Sequence, residues 1–123
     1  MQTEQHTANI KLAILHGSRA TGNMHTNSDW DVAVLADHAL SWEDRAGLRR
    51  IFAEKLGAPE ERIDLSDLRA DSPLLRYRVA MHGKLIDGDE REFRAFQIRA
   101  WKDYLNNEKI VALQSAFLQK ALS

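Results

Sequence analysis

The chain has 123 residues, 44% of them hydrophobic, with 17 basic and 18 acidic residues and a formal charge of −1. That suits one compact domain with a buried core and leaves little room for a second. The near-neutral balance argues against direct nucleic-acid binding through phosphate contacts, the apolar runs are too short to span a bilayer, and the absence of cysteine removes disulfides and thiolate metal sites.

Residues 1–9 are polar and read as a frayed start or a short helical turn. Met1 to His6 lacks the basic-then-apolar order of a secretion signal, so a cytoplasmic protein with no membrane partner is expected. Ile10 to Leu15 reads as a buried strand that stops at His16-Gly17. Residues 18–28 are small and polar and predict a short helix and a loop, with Gly22 and Asn23 supplying turn conformations. Asp29 to Leu35 is a second strand. Ser41 is a helix N-cap with Asp44 at the reciprocal capping position, Leu48, Ile51, Phe52 and Leu56 follow at helical spacing, and Gly57 is the stop. Arg62 to Leu65 predicts a third strand. Ser72-Pro73 opens another helix, which Leu75, Val79 and Met81 make apolar on one side and Gly83 ends. Lys84 to Ile86 adds a small edge strand. Phe93, Phe96, Trp101 and Tyr104 then recur at helical steps, Asn106-Asn107 predicts a break, and a last helix carries Ile110, Leu113, Phe117 and Leu118. The fold class is a small α/β (α+β) domain over 1–123, with a mixed sheet of about four strands, a core over about 10–87, and C-terminal helices over about 89–121.

Chemistry concentrates between His16 and Asp31. Residues two apart in a strand share a face, so Asp29 and Asp31 project together while Trp30 turns away. Two carboxylates on one face repel unless a cation sits between them, and magnesium takes carboxylate oxygens together with substrate phosphates. Gly17 follows a strand and lets a phosphate approach the backbone, Ser18 adds a hydroxyl, and the N–H groups of the turn favour an anion; Arg19 adds charge or points outward. Each feature alone is common. In this order, each beside a predicted strand, they form a phosphate cradle and a metal clamp on neighbouring strands.

An apolar residue, Gly17-Ser18, about ten residues, then Asp29-Trp30-Asp31 resembles the signature of the nucleotidyltransferase superfamily that includes DNA polymerase beta. Gly17 to Gly22 followed by Asn27 to Leu35 is similar, more narrowly, to the minimal nucleotidyltransferases, prokaryotic proteins often encoded beside a HEPN-domain protein and acting as its antitoxin. The resemblance implies Mg²⁺-dependent transfer of AMP from ATP to a tyrosine of a HEPN-domain toxin partner. It implies Asp29 and Asp31 as metal ligands, Gly17, Ser18, Arg19 and Ser28 as nucleotide-binding residues, and Asp64 as the third catalytic carboxylate beside Asp29 and Asp31. Asp67 is the rival to Asp64, with a loop or cap role expected for it. The runner-up function is an antitoxin that neutralises its partner by binding alone. Modification of a small molecule fits less well, since enzymes of that kind add a domain for it.

The five histidines show no metal-ligand spacing; His16 adjoins the candidate site, with a structural role preferred. Arg76-Tyr77-Arg78 reads as a solvated helix face or as a means of steering an anionic nucleotide or an acidic partner. Arg45, Arg49 and Arg50 read as solvated, and Trp101, Tyr104 and Phe117 as core. The apolar content of the C-terminal stretch also suits a partner or dimer surface.

Overall fold

A computed structural model describes residues 9–22 and 28–122, apart from the side chains of residues 109–111. The expectations for residues 1–8 and for Asn23 and Asn27 fall outside that range. In chain order the elements are β1 (Ile10–His16), α1 (Ser18–Thr21), β2 (Trp30–Ala36), α2 (Trp42–Leu56), a short 3-10 turn (Glu60–Arg62), β3 (Ile63–Asp67), α3 (Pro73–His82), β4 (Lys84–Gly88) and α4 (Glu90–Leu122). The strands form a four-stranded sheet in the order β3-β2-β1-β4. β1 runs antiparallel to β2 and β4, and β2 runs parallel to β3, so the sheet is mixed as the sequence predicts.

Alternation along the strands sends two sets of apolar side chains to opposite faces. Ala13, Val32, Val34, Ile63 and Leu65 meet Leu48 and Phe52 of α2 on one face. Leu12, Ile14, Ala33 and Leu68 meet Val79 and Ala80 of α3 and Phe96 and Ala100 of α4 on the other. The predicted caps form. Ser41 Oγ accepts from Asp44 N at 3.0 Å while Asp44 Oδ2 accepts from Ser41 N at 3.0 Å, a reciprocal pair that stabilises the helix start by about 1 kcal/mol. Gly57 closes α2 in the left-handed conformation at φ 67°. Ser72 Oγ accepts from Leu75 N at 3.2 Å to start α3.

Two expectations fail at the C-terminus. There is no break at Asn106-Asn107: α4 is one helix of 33 residues. Asparagine costs only a fraction of a kcal/mol inside a helix, and no glycine or proline interrupts this run. Trp101 and Phe117 are not core; Phe117 is 72% exposed and Leu122 84%, because α4 outruns the sheet that buries its first turns. Tyr104 is half-buried, stacked on Tyr77 of α3 with ring centroids 4.2 Å apart. Met81 and Ile51, expected on packed helix faces, are also exposed. Arg45 is only partly solvated, its Nη1 donating to the Leu65 carbonyl at 3.4 Å. Among the described residues, no helix is long and apolar enough to cross a membrane.

Candidate active site

Strand register builds the site. His16 of β1 sits opposite Asp31 of β2, and Asp31 lies beside Asp64 of β3. Register partners share a face, so the three side chains form a row across three strands on the α3–α4 face, at the end where β2 begins. Gly17 turns the chain immediately after β1. Its φ of 75° is a conformation that side-chain-bearing residues rarely adopt. A Cβ there would run into the Asp31 carboxylate, so the missing side chain gives Asp31 its place. The Gly17 carbonyl accepts from Ala20 N at 3.1 Å and Thr21 N at 3.2 Å, which winds the single turn of α1. Ser18 begins that turn, half-buried.

Electrostatics single out Asp31. Burial, then the Asp64 and Asp29 charges, and a hydrogen bond with the Asp64 carboxyl together push its pKa up to about 6. Ionised Asp31 is thus disfavoured beside these charges unless a cation offsets them. A donor set of hard carboxylate oxygens suits magnesium. Asp29, whose charge acts on Asp31, is exposed just before β2, and its Oδ1 lies 3.5 Å from Arg62 Nη1. Among the described residues, no three acidic or imidazole side chains converge closely enough to hold an ion as they stand.

Arg19 and Ser28 form a latch. The Arg19 guanidinium donates to the Ser28 carbonyl at 2.9 Å and 3.2 Å and lies 4.0 Å over the Trp30 ring. Trp30 alternates away from Asp31 and packs against the α2-side cluster, as its place between the aspartates predicts. The latch ties α1 to the start of β2 and fixes the two halves of the motif relative to each other. Asp67 is the rival that takes the structural role. Buried, it accepts from Leu40 N at 2.9 Å and Arg69 N at 3.0 Å, holding the turns at the far end of the sheet.

Three residues near the site escaped the sequence reading. Arg62 pairs with Asp29 because β2 and β3 are parallel with Trp30 beside Ile63. Arg49, assigned to a solvated face, lines with Asp29, Arg62 and Asp64 an open cleft of about 720 Å³. Asp71, in the turn before α3, is raised in pKa by burial and by Asp67, and among the described residues its Oδ2 is buried without a partner, as is His16 Nε2. Burial lowers the His16 pKa, against the opposing pull of Asp71 and Asp64. Only the parallel pairing of β2 and β3 could have exposed the Arg62 contact, and no local pattern marks Asp71.

A glycine turn pressed against paired carboxylates on adjacent strands of a mixed sheet is the arrangement of a nucleotidyltransferase. The chain belongs to the polymerase beta nucleotidyltransferase family, whose pattern matches residues 2–92. Among curated relatives, the protein adenylyltransferase MntA of Aphanizomenon flos-aquae (strain 2012/KM1/D3) is 34% identical over 125 residues, covering 89% of this chain and 77% of its own length. Among solved structures, a toxin-antitoxin crystal structure with AMP-PNP aligns at a TM-score of 0.69 and 30% identity, over 94% of this chain and 88% of the matched one. A chain of the complex between the tri-AMPylated Shewanella oneidensis HEPN toxin and its MNT antitoxin aligns at a TM-score of 0.64 and 25% identity, over 98% and 90% of the two chains.

Proposed function

We propose that this chain is a magnesium-dependent antitoxin, acting in the cytoplasm as one domain, that transfers AMP from ATP to a tyrosine hydroxyl of a HEPN-type toxin and thereby neutralises it. The observation that carries the reading is the Asp31–Asp64 carboxyl pair seated against the Gly17 turn. The likeness to adenylyltransferases and to chains of toxin-antitoxin complexes supports the substrate and the partner.

Asp29 and Asp31 would hold the cation, with Asp64 beside Asp31 on the neighbouring strand. Magnesium held there would neutralise phosphate charge and make the α-phosphorus more electrophilic. The turn at Gly17 and Ser18 presents backbone N–H groups to the β- and γ-phosphates. Arg19 and Ser28 contribute by fixing that turn against β2. The tyrosine oxygen bonds to the α-phosphorus, the bond from that phosphorus to the β-bridging oxygen breaks, and pyrophosphate leaves with the electron pair. Asp64, beside Asp31, takes the tyrosine proton.

The test is Asp31→Asn, with magnesium, ATP labelled at the α-phosphate and lysate of the native host. Wild type is expected to label a single small protein, and the variant to lose at least about 10³-fold of that transfer while remaining folded. A folded, fully active variant would overturn the reading. The likeness to chains of toxin-antitoxin complexes also suits a second reading, neutralisation by binding alone. On that reading Asp31→Asn still protects cells and still co-purifies with the partner.

A further inference from the structure

The site face of the sheet carries a second concavity at its other end. Between β2, the turn after β3, α3 and α4 lies a cavity of about 300 Å³ with Leu35, Leu68 and Phe96 on its floor. Arg69, Arg76 and Arg99 surround it, with Asp103 the one acidic lining residue. The whole chain has one more acidic residue than basic, so this excess is local. Among the described residues none of the three arginines forms an ion pair. Arg69 and Arg99 are exposed; Arg76 is half-buried and its Nη1 donates to the Leu68 carbonyl at 3.3 Å, which fixes its guanidinium beside the floor. The walls are tied together by the Tyr77–Tyr104 stack and by Gln97 Nε2 donating to the Ala80 carbonyl at 2.9 Å.

Guanidinium forks match the two oxygens of a carboxylate or phosphate, and an apolar floor favours an anion attached to carbon chain. Leu35 and Asp31 are on the same face of β2, four positions apart, or roughly 13 Å at the usual strand rise. The nucleotide phosphates belong at the Gly17 end with the carboxylates, so an anion at the arginine end comes from the other reactant. An extended polypeptide covers that separation in about four residues. We propose that the Arg69–Arg76–Arg99 cavity binds an acidic side chain of the acceptor polypeptide, about four residues along the chain from the hydroxyl that receives AMP. The inference rests on the polypeptide-acceptor reading above and adds to it the means of choosing the acceptor.

The probes are two fluorescein-labelled peptides, each with a single tyrosine, one carrying a glutamate pair about four residues from it and the other glutamines there. Anisotropy titrations use the full chain, the Arg69→Gln/Arg99→Gln double variant and Asp31→Asn, with thermal unfolding as the check on folding. The two substituted guanidiniums make no hydrogen bond or ion pair among the described residues, so the fold is expected to stand. Wild type is expected to bind the acidic peptide about tenfold more tightly at low salt, and the double variant to lose that preference. Asp31→Asn is expected to keep it, so failed transfer and a failed cavity are told apart. Equal binding of both peptides by wild type, or a preference retained by the double variant, would overturn the proposal. So would competition by inorganic phosphate in wild type that the double variant loses while neither peptide is preferred; the cavity would then take free phosphate.

Discussion

On the α2 side of the sheet, Asp44 and Asp67 are buried and accept hydrogen bonds from Ser41 N, Leu40 N and Arg69 N. On the α3–α4 side, the Asp31 pKa is raised by burial and by the Asp64 and Asp29 charges, and among the described residues His16 Nε2 and Asp71 Oδ2 are buried without a partner. The same strands support both faces, while Asp31 and Asp71 are half-buried and Asp64 exposed where Asp44 and Asp67 are buried. A buried acid whose oxygens are met by backbone N–H groups holds turns in place; one left short of donors is poised to take a proton, a cation or a substrate. Polar satisfaction thus separates the acids that build this fold from those available for chemistry.

The sharpest way to break the contrast is at Gly17. Gly17→Ala places a methyl group against the Asp31 carboxylate in a left-handed backbone conformation. Displacing that carboxylate by even an ångström is expected to lower AMP transfer by about 10²-fold. The backbone strain alone costs about 1–2 kcal/mol of stability. Initial rates of α-phosphate label transfer, normalised to folded protein, check the first figure, and urea titration the second. Transfer at the wild-type rate would mean that the turn does not position Asp31.

The next test sets the two acids of β3 against each other. Asp67→Ala leaves the amides of Leu40 and Arg69 without their acceptor and is expected to cost about 2–3 kcal/mol, seen as a lower denaturation midpoint. Transfer per folded molecule should be unchanged. Asp64→Ala should do the reverse, since its exposed side chain holds no backbone amide among the described residues and it adjoins Asp31. A loss of activity in Asp67→Ala beyond its loss of folded protein would erase the distinction.

Much of this was legible in the residues. Ser41 with Asp44, Ser72-Pro73, Gly57 and Gly83 mark helix ends through local hydrogen bonds and φ preference, and local signals survive folding. Gly17 and Asp31 were legible because strand alternation and a short connection constrain where they meet, and Asp64 because the resemblance implies a third carboxylate on an adjacent strand. What was hidden depended on pairing between distant segments. The Arg62–Asp29 ion pair needs the parallel register of β2 and β3, and the Arg19 latch needs Trp30 turned to the α2 face. The C-terminus misled in the other direction. Trp101 and Phe117 have the spacing of core residues, but a sheet of four short strands has no surface left to cover the far turns of α4.

The smallest predicted effect follows from proton binding at Asp31. Its pKa in the folded protein is raised to about 6, first by burial and then by Asp64 and Asp29, from an ordinary value of 3.8. The folded state therefore binds this proton more tightly than the unfolded chain does. The stability it contributes is fully present below about pH 3.8 and is lost as pH rises through about 6. In metal-free protein, Asp31→Asn removes that loss, and the variant should exceed wild type in unfolding free energy by about 1–2 kcal/mol at neutral pH, discounted for the site's access to solvent. Near pH 4 the two should converge. Denaturant titrations across this window, with chelator and then with magnesium, read the sign directly. If chelated wild type and variant stay parallel from pH 4 to pH 7.5, the carboxyl pair carries no electrostatic strain. If magnesium then raises wild type toward the variant, the cation is relieving the repulsion that the α2 side of the sheet resolves with backbone amides.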